Sequence, residues 1–471
     1  MQELERLKEK AIKELFPLQF VKGVAVRHAS EPTLVIYVNG KDTATITALA
    51  NQLPQTIDGV RVIVRNIGDV RLLSSIFSFP SFPLLSLTRS RVRPLQAGVS
   101  VSSSLSLSST TGTLGMILPA DSSSSSNSNS SNKAFLISNA HVLASSLLFS
   151  NISTLAASQG FLIQPGLIDG GNIQNKDDIV YVENNTIWYV PYKQQEQNNN
   201  TVDLAFAIIE NNAVTYQVAD SINSYKIYST VFYDDLIGVN DVVHKVGRTT
   251  GYTSANVIDT NATIKVQVGN GSSSSSSSNS SSSITQQQQQ EVIFTDVIMT
   301  EAMARAGDSG SGVFTLRRVG DNVMLLPAGL VFAGSDQVTL VIKFNNIVNM
   351  INTFSKTTGY SLGIKPLSTA LQQQTILTTG TSNIEQLLPY ITITSFGLQI
   401  LTITYGIVEK IRERSSSSRG GGVERRRKGE SKVPESLMSG TKSSSCKLCK
   451  MLREIAEKEK EEEEEKKRRG L

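Results

Sequence analysis

Between residues 95 and 355 the chain is a series of short apolar runs cut by Gly, Asn, Asp and Ser, and this pattern confines it to a barrel or a sandwich of strands. The runs include AFLISNA, VDLAFAIIE, DVVHKVG, ATIKVQVG, EVIFTDVIMT, SGVFTLRRV, MLLPAGLVFAG and VTLVIKF. Each is too short for a stable helix, and each is bounded by turn-forming residues. FNNIVNMINTF (344–354) differs: its apolar residues recur at helical spacing, so it is predicted to close the region as a helix. Cysteine is absent until Cys446 and Cys449. The strands must therefore be held by an apolar core and not by disulfides, which suits any redox compartment.

The flanks read differently. Residues 1–70 follow an α-β-β-α-β pattern, opened by Leu4, Leu7, Ala11 and Leu15 at helical spacing, and are predicted to form a small α+β domain. Residues 71–94, with FSFPSFPLLS, form a Pro- and Ser-punctuated linker. The Ser, Asn and Gln tracts at 121–132 and 271–290 cannot bury apolar surface. They are expected to be disordered loops joining paired strands, either inert or glycan-bearing at Asn129 and Asn279.

Residues 387–408 carry no charge over 22 positions, enough to cross a bilayer. They read as a membrane span, a buried hairpin or a helix packed on the barrel. The tail, 409–471, holds 19 basic and 13 acidic residues, a Ser/Gly linker and a charged helix. Its Cys-x-x-Cys is half a zinc site lacking two ligands, or two unrelated surface thiols. With the overall charge only +4, the first 408 residues are close to neutral, so no specific nucleic-acid partner is expected. The opening residues, MQELERLKEKAIKELF, lack the apolar core of a secretory signal and do not support conventional export.

The chemistry-bearing stretch is EAMARAGDSGSGVF (301–314). Gly307-Asp308-Ser309-Gly310 is a tight turn with almost no side-chain bulk. It reads as an ordinary polar turn, or as one that presents a hydroxyl beside convergent backbone N–H groups. A nucleophilic serine needs an imidazole held by a buried carboxylate. Three histidines are present. His28 lies in the N-terminal domain and His244 in mid-strand, and both read as structural. His141, in AFLISNAHVLA, ends a strand beside small residues and is the candidate base. Asp203, opening VDLAFAII, is either a strand-edge turn residue or a buried carboxylate.

The blocks ISNAHVLA, VDLAFA and GDSGSGVF, in that order, resemble the three catalytic blocks of the chymotrypsin-like, two-β-barrel serine proteases. FLIQPGLIDGG and VHKVGRTTGYTSANV further resemble the cysteine-poor archaeal, bacterial and plant narrow-leaf-type branch. The resemblance covers about residues 95–355 and implies a mainly β fold. This would be a double six-stranded antiparallel β-barrel over 95–358, with the N-terminal α+β domain and a C-terminal extension. It implies Ser309 as nucleophile, His141 as general base, Asp203 as its orienting acid, and the N–H groups of Gly307 and Ser309 as the oxyanion hole. Asp308 would pair with a new N-terminal amine or an internal partner. Met303, Gly329 and Gly334 would line the pocket for the residue before the scissile bond. With no acid at Met303 and no histidine in AGLVFAGSD, that pocket is expected to prefer an apolar or small side chain.

The resulting expectation is a serine endopeptidase acting on protein or peptide substrates without a cofactor or metal, possible membrane association resting on 387–408. The alternatives are a non-catalytic scaffold that keeps the fold, and a protease limited to itself or its assembly partners.

Overall fold

The computed structural model describes residues 2–369 apart from 28–30, 74–85, 107–109, 123–131, 151–153, 194–198, 220–226, 270–289 and 320–321. His28, Asn129, Asn279, the uncharged segment 387–408 and the whole tail with Cys446 and Cys449 lie outside the described residues. Among the described residues, no helix is long and apolar enough to cross a membrane.

Six antiparallel strands form a closed ring in the C-terminal half of the described chain. Val242–Gly247 pairs with Gly312–Val319, which pairs with Asn322–Gly334 and through it with Val338–Lys343. That strand pairs with Gln290–Glu301, then Gly251–Val268, and Gly251–Val268 returns to Val242–Gly247. Closure removes both sheet edges and leaves a continuous apolar interior. The tract 270–289 interrupts one hairpin of this ring, since Val268 is paired with Gln290.

The preceding barrel is built from two sheets that run into each other. One orders Ala156–Gln159, Thr186–Tyr189, Ala205–Glu210, Lys133–Ser138 and Met116–Ser122, all antiparallel. The other orders Ile179–Val180, Leu162–Ile163, Ser100–Ser103 and Gly112–Thr113. Leu162–Ile163 follows Ala156–Gln159 almost at once, and Gly112–Thr113 leads directly into Met116–Ser122, so the sheets curl around one core. The fold is therefore the double β-barrel of chymotrypsin-like proteins. Helix Phe344–Thr353 follows the last barrel strand and buries Phe344, Ile347, Val348 and Ile351, the stripe its sequence period selects.

The N-terminal module has its own apolar core, in which helix Gln2–Leu15 lays Leu7, Ala11 and Leu15 against Val24, Leu34 and Ile36. Its sheet is nevertheless continuous with the second barrel. Val21–Arg27 pairs antiparallel with Gly251–Val268 through Gly23↔Ile264 and Val24↔Thr263. A Cβ at position 23 would lie 2.2 Å from Ile264 Cδ1 and 2.9 Å from the Thr263 carbonyl, so the two backbones approach this closely only at glycine. The buried Tyr37 hydroxyl donates to Asp259 Oδ2 at 2.7 Å, and Arg27 donates to the same carboxylate. Tyr37→Phe deletes a hydrogen bond to a charged acceptor and is expected to cost about 1.5–3 kcal/mol, read as a lowered Tm.

Candidate active site

Strand register brings the candidate base and acid together. Lys133–Ser138 and Ala205–Glu210 pair with Ser138 opposite Ala205, so the residues just beyond this end of the pair, 139–141 and 203, share one edge of the first barrel. There the chain turns into the short helix Ala140–Leu143. Asp203 is fully buried and holds that turn from several sides. Its Oδ1 accepts from the N–H of Ala140 at 2.8 Å and of His141 at 3.3 Å, and its Oδ2 contacts His141 Nδ1. Asn139 Nδ2 donates to the Asp203 carbonyl at 2.8 Å. The carboxylate thus fixes both backbone and ring of His141. The ring's other nitrogen, Nε2, is buried and makes no hydrogen bond among the described residues. Tyr192 lies beside this pair; burial, and then the negative charge of Asp203, push its hydroxyl pKa well above the ordinary 10.0.

Ser309 lies in the turn between Gln290–Glu301 and Gly312–Val319. Gly307 and Gly310 take φ of 98° and 87°, left-handed values that side chains other than glycine's rarely adopt. A Cβ at Gly310 would also lie 2.2 Å from both Ser138 Oγ and the Thr113 carbonyl. The serine-bearing turn is therefore packed on the end of the strand that leads to His141. Thr113 clasps it: its N–H donates to the Ser309 carbonyl at 2.8 Å and its Oγ1 to the Gly307 carbonyl at 3.0 Å. Ser309 is fully buried, and its hydroxyl donates to the Phe332 carbonyl at 3.1 Å.

Asp308 has an internal cation, Lys245, with Nζ–Oδ2 at 3.3 Å and both side chains fully buried. Four further donors complete the carboxylate: Thr249 N–H and Thr250 N–H on Oδ1, Arg305 N–H and Thr250 Oγ1 on Oδ2. Burial lowers the Lys245 pKa from 10.5, with Asp308 acting against that shift. Two motif blocks also meet in space. Arg248, from KVGRTTGYT, is fully buried and forms a two-point pair with Asp169, from FLIQPGLIDGG, with Nη2 to Oδ1 at 2.8 Å.

The pocket candidates divide. Met303 is buried in one apolar cluster with Ala304, Ala328, Val331, Val341 and Leu73. A Cβ on Gly334 would lie 3.3 Å from Leu73 Cδ1, whereas one on Gly329 would lie 2.2 Å from the Ile342 carbonyl, within the strand ladder. His244 stands apart, half-buried, its ring stacked on Tyr252 and Nδ1 2.8 Å from that hydroxyl.

Neither a family model nor a curated protein sequence matches this chain. Solved structures do show a likeness. A Nocardiopsis protease shares 14% identity at a TM-score of 0.29, over 54% of this chain and 94% of that one. Thermobifida fusca protease A gives 14% and 0.29 over 57% and 98%, and Cellulomonas bogoriensis chymotrypsin 13% and 0.27 over 57% and 97%. The closed strand ring, and not likeness at this level, establishes the fold.

Lys245 and Leu73 were not singled out from the sequence. For Lys245 a signal existed: in Val242–Gly247 it shares the inward parity of Val243, and a lysine at a core position calls for a carboxylate.

Proposed function

We propose that the chain is a serine endopeptidase in which Ser309 is the nucleophile, His141 the general base and Asp203 the orienting acid. The observation that supports this most is the orphaned nitrogen of His141. A buried imidazole kept for packing would have both nitrogens satisfied, because an unpaired buried polar atom costs about 1–3 kcal/mol. Here a carboxylate engages one nitrogen and leaves the other without a partner. In this reading Ser309 Oγ turns from the Phe332 carbonyl toward Nε2, gives up its proton there and attacks the scissile carbonyl. Asp203 keeps the proton of Nδ1 in place and stabilises the imidazolium. The N–H groups of Gly307 and Ser309 receive the developing oxyanion. His141 then returns the proton to the leaving amine, and water releases the acyl group.

Within this fold the chain fits the cysteine-poor branch. The first 445 residues contain no cysteine, and Lys245 supplies Asp308 with a cation from inside the barrel. No new N-terminal amine is needed for that role. Met303 and its apolar neighbours make the pocket suited to an uncharged side chain. Reaction of the full-length protein with a fluorophosphonate, followed to completion by intact mass, is expected to add one adduct at Ser309 and none in Ser309→Ala. An adduct of equal stoichiometry in both proteins is incompatible with this assignment.

A further inference from the structure

The segment that leaves the N-terminal module runs straight into the candidate cleft. Ile67 N–H donates to the Val38 carbonyl at 3.0 Å, and the Ile67 carbonyl accepts from Ser335 Oγ at 2.5 Å. Val70 follows, its carbonyl accepting from Gln267 N–H at 3.1 Å. Arg71 and Leu72 then add an antiparallel strand to the end of Asn322–Gly334, with Arg71 opposite Gly334 and Leu72 opposite Ala333. Leu73 N–H donates at 3.1 Å to the Phe332 carbonyl, which also accepts from Ser309 Oγ. The Leu73 carbonyl accepts from Gly307 N–H, one of the two donors assigned to the oxyanion hole. Its side chain is 8% exposed and fills the apolar cluster of Met303 and Val331, against Gly334.

These contacts match what an extended substrate needs on the acyl side of its scissile bond. Backbone pairing along a strand edge gives affinity, a pocket takes the last side chain, and the carbonyl points into the hole. The register is the same for each of three consecutive residues, which a passing linker has no reason to keep. We propose, on the endopeptidase reading above, that residues 71–73 occupy the enzyme's own acyl subsites, so that the N-terminal module is a tethered inhibitor whose Leu73–Ser74 bond is the chain's first substrate. The subsite before the scissile bond accordingly takes a leucine-sized apolar side chain.

The step balances within the chain and water. Ser309 Oγ adds to the Leu73 carbonyl carbon, its proton passing to His141 Nε2, and the carbonyl π pair moves to the oxygen held by Gly307 N–H. Collapse breaks the bond from the Leu73 carbon to the Ser74 nitrogen, which takes the proton from His141 and departs as an amine. Water hydrolyses the Leu73 ester, giving a carboxylate and restoring Ser309. The released end stays in the cleft because Val21–Arg27 remains paired to the barrel. The module then inhibits as bound product.

The test uses the full-length wild type, Leu73→Asp and Leu73→Gly, each checked for a cooperative thermal transition well above the assay temperature, with Ser309→Ala as control. Rates of fluorophosphonate labelling at Ser309 are measured together with intact mass. Both Leu73 variants are expected to label about 10- to 100-fold faster than wild type, the factor set by withdrawing one buried leucine side chain. Leu73→Gly covers the case in which a buried carboxylate unfolds the variant. Mass is expected to show a cut after Leu73 in the wild type and none in Ser309→Ala. Equal labelling rates in folded wild type and variants, with Ser309 still labelled, overturn the inhibitor and leave the endopeptidase standing. No labelling in any variant overturns both. Slow labelling in wild type alone, still reaching one adduct at completion, supports the occupied cleft.

Discussion

Ser309→Ala is expected to lower kcat/KM for peptide hydrolysis by about 10^4- to 10^6-fold while leaving the fold intact. The two halves of this outcome have separate causes. Structurally, the hydroxyl makes one hydrogen bond, to the Phe332 carbonyl, and that carbonyl keeps its bond from Leu73 N–H. Its removal therefore costs about 1 kcal/mol. Chemically, the proposed mechanism leaves the acyl intermediate no other atom to form on. His141→Ala is expected to be as inactive but not as stable. It strips Asp203 of its ring partner and leaves two backbone N–H donors, from Ala140 and His141, on a fully buried carboxylate. That loss is about 1–3 kcal/mol. Kinetics and thermal unfolding of the pair of variants separate the readings: a scaffold protein would show the stability difference without any activity to lose.

The parts legible in the sequence were those that local rules write down. Alternation marked the strands of the second barrel, and turn residues marked their ends, so SGVFTLRRV and VTLVIKF each overrun by one residue the observed strands Gly312–Val319 and Val338–Lys343. His141 is marked by its place at a strand end beside small residues, whereas Asp203 alone reads as readily as a turn residue, and the order His141, Asp203, Ser309 in the blocks of the resembled family is what singles it out. The meeting of His141 with Asp203 follows from one register, Ser138 opposite Ala205, which two isolated strands do not reveal. Long-range pairing also hid the reach of the N-terminal module. Nothing in VKGVAVRH announces Ile264, nearly the whole barrel away in sequence, as the partner of Gly23. Leu73 was invisible for the same reason. The role proposed for it depends on a carbonyl meeting Gly307 N–H, and backbone atoms carry no sequence signature. Met303 shares an apolar cluster with Leu73, and a Cβ at Gly334 would lie 3.3 Å from Leu73 Cδ1, whereas the constraint on Gly329 comes from the strand ladder.

Lys245→Met is expected to destabilise the protein by about 3–5 kcal/mol and to reduce activity in whatever remains folded, because it leaves Asp308 charged and unpaired in the core. Asp308 sits between Gly307 and Ser309, the residues proposed as oxyanion donor and nucleophile, so a shift in its carboxylate moves both. The Thr249, Thr250 and Arg305 donors remain in the variant, and they hold the carboxylate without neutralising it. Lys245→Arg keeps the charge and is expected to retain most of the activity if the bulkier guanidinium is accommodated. The wild-type ammonium also has a pH signature. Burial lowers its folded pKa below 10.5, so in the folded protein it loses its proton at lower pH than in the unfolded chain. Between those two values the unfolded chain binds the extra proton, and stability from this group rises with pH. Activity should move the other way, since neutral Lys245 no longer balances Asp308. The expected profile is an alkaline fall in kcat/KM beginning below pH 10.5 while the protein stays folded, and displaced upward in Lys245→Arg, whose guanidinium does not titrate there. A fall in activity that tracks unfolding in both proteins would assign the alkaline limb to the fold as a whole and remove Lys245 from the positioning of the turn.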